Sequence, residues 1–428
     1  MGKGADAERM SNHSVRLPRA VRVYWIATIV LTALALLIVG IRRYLFHEGY
    51  PYNTFLFVPE WAFSDFTIYA DRFKHFGTQG FFTCPGYPFT YPAPIALVYA
   101  FFFRWFPHPT RVFLATILAA PLIGTAFFAR ALRSAGILEG TAVLLALTVL
   151  VTSYPFMILF DRANTEIAVW VVLACGLAAF AREKLWLAAA LIGIAGSMKL
   201  VPAIFFLLFL YRRRLYELLF GVLTMGAVTV VSLWSMGPTI SIAQAGIHAG
   251  LERFADICIY RWRHVENGFD HSLFAVVKDV LVLLRTNLTA DYLQHEYRIY
   301  FVVIAILSVA IFWRLRKLPV LNQMVALTCC ALAFPPVSYD YTLVHLYVPF
   351  AFLLLGAIRQ PQGVWAEDFL LMRIFCYFAI LLTPQTYLIR GGSTGVGGQV
   401  KAMVPMALLA ESLVRPFLGS GSRSNSPI

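Results

Sequence analysis

Apolar residues gather along this chain in long runs broken by short polar stretches, at 24–40, 92–106, 111–130, 141–160, 165–181, 185–211, 215–236, 298–314, 320–337, 342–358, 369–389 and 401–418. A helix needs about 20 apolar residues to cross a bilayer, so these runs predict an all-α polytopic membrane protein of about 11 to 13 spans. The run Tyr24 to Gly40 follows Arg16, Arg19 and Arg22 and precedes Arg42 and Arg43, with no small-residue cleavage site. It reads as an uncleaved anchor behind a cytoplasmic tail, 1–23. Residues 24–418 form the membrane domain, and 419–428 a polar tail. The run 185–211 is too long for one upright span and too short for two. Its Gly196-Ser197-Met198-Lys199-Leu200-Val201-Pro202 centre predicts two half-length helices meeting at a break, which lipid tolerates only where the freed backbone faces protein or water.

Composition agrees: 60% of residues are hydrophobic and 13% charged, far from the roughly 25% charged of a soluble domain. The net charge of +13 would suit nucleic acid, but the cations cluster at the ends of apolar runs, where they orient spans instead. Arg182 and Lys184, Arg212 to Arg214, and Arg314, Arg316 and Lys317 mark cytoplasmic faces. The loops 41–91 and 237–297 then fall outside. Basic flanks at Arg104 and Arg133 leave the direction of the two spans between them open. The cysteines Cys84, Cys175, Cys258, Cys329, Cys330 and Cys376 show no metal-ligand spacing, although Cys84 and Cys258 lie in polar loops and could pair.

The polar exceptions within this pattern carry the chemistry. A charge at the bilayer centre costs about 2.5 to 3.5 kcal/mol, so Lys199 needs a partner or an aqueous edge, and is a candidate for holding an anion. Asp161, Arg162, Asn164 and Glu166 cluster just before the run that leads to it. In the first loop, Ser64 to Arg72 predicts a surface helix with Asp65 and Tyr69 on one face. Asp71 is expected to pair with Arg72 or Lys74. In the second loop, Tyr260-Arg261-Trp262-Arg263-His264 and the stretch Asn267 to Leu273, with His271, mix cations with aromatic faces, a mixture that suits phosphate and sugar recognition. There is no DxD, no HExxH and no P-loop; Gly391, Gly392, Gly395, Gly397 and Gly398 form a linker between spans rather than a strand-to-helix turn. No nucleotide-binding fingerprint and no metal site are therefore expected.

The order Asp65-Phe66-Thr67-Ile68-Tyr69, Tyr91-Pro92, Asp161-Arg162-Ala163-Asn164, Lys199-Leu200-Val201-Pro202, Arg212 to Arg214, His271-Ser272-Leu273-Phe274 and Pro336 to Tyr341 resembles glycosyltransferase family 87 over roughly residues 20 to 415. The chain departs from it at Arg162-Ala163-Asn164, where many members carry a Gly-Gln-Val-Asn type of sequence. The resemblance implies a GT-C type fold with short surface helices in the first external loop. It also implies a multi-pass enzyme of the inner (plasma) membrane, with its active site on the extracytoplasmic side. Such an enzyme moves a sugar, mannose by resemblance, from a polyprenyl-monophosphate donor to a lipid-linked or envelope glycan acceptor, with inversion. Asp65 is then the catalytic base. Arg162, Lys199, Arg263, His271 and Tyr69 meet the donor phosphate, and Asn164, Asp340, Tyr341 and His345 line the substrate cavity. No cofactor is implied beyond the lipid-linked sugar, and no partner beyond donor, acceptor and membrane lipids. Plainer roles exist for each residue, such as a helix cap at Asp65, an interfacial anchor at Tyr69 and a snorkelling amine at Lys199. A transporter or flippase of lipid-linked sugars would need the same phosphate-binding groups but no base.

Overall fold

The computed structural model describes residues 17–50, 52–56, 59–284, 288–359, 365–384 and 396–418. The expected tails, apart from residues 17–23, and the linker glycines Gly391, Gly392 and Gly395 lie outside them. Among the described residues the fold is helical, and the single β-bridge joins Asp270 to Tyr339. In chain order the main helices are α1 (Arg19–Gly40), α2 (Ala93–Trp105), α3 (Pro109–Ser134), α4 (Glu139–Val151), α5 (Tyr154–Arg162), α6 (Glu166–Ala181), α7 (Leu185–Met198) and α8 (Leu215–Met236). There follow α9 (Ile240–Phe254), α10 (Leu273–Leu284), α11 (Ala290–Leu315), α12 (Val320–Ala333), α13 (Tyr347–Arg359), α14 (Trp365–Leu382) and α15 (Val396–Val414).

Local sequence sets many of these boundaries. Pro109 and Pro155 sit in first turns, where a missing N–H is harmless. Ser153, Thr239 and Thr289 cap α5, α9 and α11 by accepting from Phe156, Ile242 and Tyr292 backbone N–H groups. Ala163, Glu183 and Arg213 turn left-handed just past helix ends, closing them.

Five segments among the described residues are long and apolar enough to cross a membrane: Arg19–Leu45, Pro109–Ser134, Leu215–Met236, Ala290–Leu315 and Asp340–Arg359. A sixth arises if α4 and α5, bent by 48°, act as one span. Of the other expected spans, several are shorter apolar helices, Ala93–Trp105, Glu166–Ala181, Leu185–Met198, Val201–Tyr211 and Val320–Ala333. α12 is buried from Leu321 to Ala333, whereas α8 and α11 leave most of their apolar side chains outward. A helix enclosed on all sides and helices apolar on their outer faces are what lipid in place of water demands.

The run 185–211 breaks where its sequence says it should. α7 stops at Met198, Lys199 is extended, and a 3-10 turn at Val201–Phe206 leads into Leu207–Tyr211. The surface helix of the first loop differs from expectation. It divides into Ser64–Thr67, which carries Asp65, and Ala70–Phe73, with Tyr69 between the two. Packing overrides periodicity here, because the Tyr69 ring is buried against Phe89, Tyr91 and Tyr99. Arg72, 4% exposed, then folds the loop around itself by donating to the carbonyls of Phe81, Cys84 (2.8 Å) and Tyr87 (3.2 Å). The second loop carries α9, α10 and the start of α11. All six cysteines are free thiols, so Cys84 and Cys258 do not pair.

Candidate active site

The end of α5 and the start of α6 build the first half of the site. The left-handed turn at Ala163 (φ 49°) reverses the chain between Arg162 and Asn164, and both side chains converge on Asp65. Arg162 forms an ion pair with Asp65 Oδ1, and Asn164 Nδ2 donates to Asp65 Oδ2 at 2.6 Å. Asn164 Nδ2 also lies 3.3 Å from the Tyr91 hydroxyl, and Arg162 donates to the Trp61 carbonyl at 3.2 Å. The loop is fixed from its own side: the Phe63 N–H donates to the Asp161 carbonyl at 2.7 Å, and the Tyr99 hydroxyl to the Asp65 carbonyl at 2.5 Å. Asp65 keeps 16% of its side chain accessible. A carboxylate has about four lone-pair sites, and these contacts leave room for another donor.

Asn164 passes the network inward, since its Oδ1 accepts from the Glu166 backbone N–H at 2.9 Å. Glu166, 1% exposed, forms an ion pair with Lys199 at the helix break and bonds His345 Nε2 at 2.6 Å. The Lys199 ammonium lies 5.3 Å from the Tyr341 ring centroid, within cation–π range, and 21% of its side chain is accessible. Asp65, Arg162, Asn164, Glu166, Lys199, Tyr341 and His345 thus form one connected polar patch. Two partly accessible cations and one partly accessible carboxylate face it. That arrangement can hold an anionic ester and take a proton beside it.

Four expected residues fall elsewhere. His271 and Asp340 are fully buried in a second cluster. His271 Nε2 meets Ser338 Oγ at 3.0 Å and Thr342 Oγ1 at 3.3 Å, while Nδ1 faces Asp340 Oδ1 at 3.4 Å. Asp340 Oδ2 accepts from Lys401 Nζ at 2.6 Å. The His271 and Asp340 side chains are enclosed by protein, separate from the accessible patch around Asp65 and Lys199. Arg263 is paired with Glu266 at 2.6 Å, a contact that holds its guanidinium above the ordinary range. The Tyr69 hydroxyl bonds Thr90 at 3.0 Å, and burial raises its pKa, so it serves as a fixed neutral group in the loop core. Asp71 is held below the usual carboxylate range by its hydrogen bond to Lys74, at the exposed rim where such a pair adds little stability.

Two residues of these clusters have roles that the sequence alone does not assign: Glu166, named there only as a member of the polar cluster, and Lys401. Glu166 stands at the start of an apolar run, and the signal was Lys199 itself, a lysine that needed a carboxylate. Lys401 likewise opens an apolar run and needed one. Among the described residues no three His, Cys, Asp or Glu side chains gather as a metal site.

The profile of glycosyltransferase family 87 matches residues 89–338, more than half of the chain. Arg162, Asn164, Glu166, Lys199 and His271 lie inside that stretch; Asp65, Asp340, His345 and Lys401 lie outside it. The chain matches no curated protein and no solved structure. With its membrane-length apolar helices and this match, the chain belongs to glycosyltransferase family 87 and is a membrane glycosyltransferase.

Proposed function

We propose that the chain transfers a sugar, mannose in the first instance, from a polyprenyl-monophosphate carrier to a lipid-linked or envelope glycan acceptor, with inversion. The reaction takes place on the extracytoplasmic side of the plasma membrane. The observation that carries this reading is the connected patch from Asp65 through Asn164 and Glu166 to Lys199, set at the break between two short apolar helices. A prenyl tail explains why the site lies among apolar helices, and a phosphate explains two accessible cations there.

In the proposed step the acceptor hydroxyl oxygen attacks the anomeric carbon as Asp65 takes its proton. The bond from that carbon to the phosphate oxygen breaks, and its electron pair leaves with the carrier phosphate. Arg162 and Lys199 stabilise the charge that develops on the leaving oxygen. Asn164 orients Asp65, and Glu166, His345 and Tyr341 orient Lys199. These cations supply the electrostatic role, and a metal-independent reaction is part of the proposal.

Purified protein in liposomes tests the reading. Supplied with a polyprenyl-phosphate mannose and a lipid acceptor, it should release polyprenyl phosphate in step with the new glycoside, unaffected by a chelator. Movement of the lipid across the bilayer without bond cleavage would instead establish a flippase and sink the enzyme.

A further inference from the structure

The segment between α12 and α13 is a 3-10 helix, Asp340–Leu346, and its two ends sit in two different ionic clusters. At its far end His345 bonds Glu166, which pairs with Lys199. At its near end Asp340 is held by Lys401, and its other oxygen faces His271. Each cluster has the same make-up: one carboxylate, one lysine, one histidine. Only the first has accessible atoms. In the second, Asp340 and His271 are 0% exposed and Lys401 2%, and the Lys401 ammonium also lies 4.1 Å from the Tyr154 ring centroid. Lys401 reaches this place from α15, which packs against α12, and the Asp270–Tyr339 bridge pins the chain just ahead of Asp340.

The spacing gives the second cluster a task. Tyr341, the ring beneath Lys199, directly follows Asp340, and His345 lies four residues further along a short 3-10 helix, whose hydrogen-bond geometry is poorer than an α-helix's. The far end of the segment runs straight into α13, and at its near end the side chain that starts it is held by ionic contacts from outside the segment. We infer that Lys401 is a positioning residue: its ion pair with Asp340, braced by His271, sets the register of residues 340–346 and thereby holds Tyr341 and His345 against Lys199 and Glu166. This rests on the proposed transfer reaction for its consequence in turnover, though not for its structural content.

The test compares the parent protein with Lys401→Arg and with the charge-free pair Lys401→Met, Asp340→Asn. Removing both charges avoids leaving one buried carboxylate alone, the variant most prone to misfold. The pair should keep a thermal midpoint near that of the parent. Its turnover at saturating polyprenyl-phosphate sugar should fall about 10- to 100-fold, as expected when reacting groups are displaced by around an ångström. Backbone amides of residues 341–346 should exchange about tenfold faster, as in a locally loosened segment. Lys401→Arg, which keeps the charge, should remain within about threefold of the parent on both readings. Parent-like turnover and exchange in the charge-free pair would overturn the inference. So would failure of that pair to fold, because the residue would then serve stability at large. If the parent transfers no sugar from such a donor, the functional reading fails by itself, and amide exchange still decides whether Lys401 holds the segment.

Discussion

Asp65 shows how one side chain depends on its neighbours. Both of its oxygens are engaged, by Arg162 and by Asn164, and those contacts aim the carboxylate while leaving lone pairs for an acceptor hydroxyl. Asp65→Asn keeps the shape but cannot accept a proton, so turnover should fall by about 100-fold or more while donor affinity changes little. Near-parent turnover in that variant would remove Asp65 from the mechanism. Lys199 has a double dependence, because Glu166 is buried and needs its charge. Lys199→Ala should therefore lose about 3 to 5 kcal/mol of stability through the stranded carboxylate. Adding Glu166→Gln should restore the stability. It should not restore donor binding, which stays weaker by about 1.5 to 3 kcal/mol. Unfolding midpoints and donor affinities on the single and double variants separate the two effects, and a double variant that binds donor as the parent does would exclude Lys199 from phosphate binding.

The broken helix 185–211 is held in place by close backbone contact with α8. A Cβ at Gly193 would run into the Gly221 carbonyl oxygen, and one at Gly221 would lie 2.5 Å from the Phe206 ring and 2.8 Å from the Ala189 carbonyl oxygen. The two carbonyl oxygens belong to the backbone and cannot swing away, and small residues are what let membrane helices approach so closely. Gly221→Ala should therefore destabilise by about 1 to 3 kcal/mol in thermal unfolding, and turnover should fall with it because α7 delivers Lys199. A parent-like midpoint would contradict the contact. The break itself was legible, since a lysine followed three residues later by a proline inside an apolar run has few other solutions. The divided surface helix was not, because the period that placed Tyr69 beside Asp65 carries no information about the aromatic rings that bury it.

At the scale of the whole molecule, hydropathy revealed where the helices lie but not how they meet. Asp65 and Arg162 are 97 residues apart, and Glu166 and His345 179. No local pattern encodes such pairings. What the sequence did show was demand at Lys199, a charge in apolar surroundings that required a partner, and the fold supplies Glu166; the pairing of Asp340 with Lys401 emerges only in the structure. The Asp340–Lys401 pair also carries a consequence for how the protein is made. Its members are 61 residues apart, with the carboxylate first and at the head of a membrane-length segment. At about 5 to 20 residues per second, the ribosome delivers the lysine roughly 3 to 12 seconds after the acid. Throughout that interval the segment Asp340–Arg359 is present without the cation that completes it, and its ionic partner arrives only with α15, which is synthesised later.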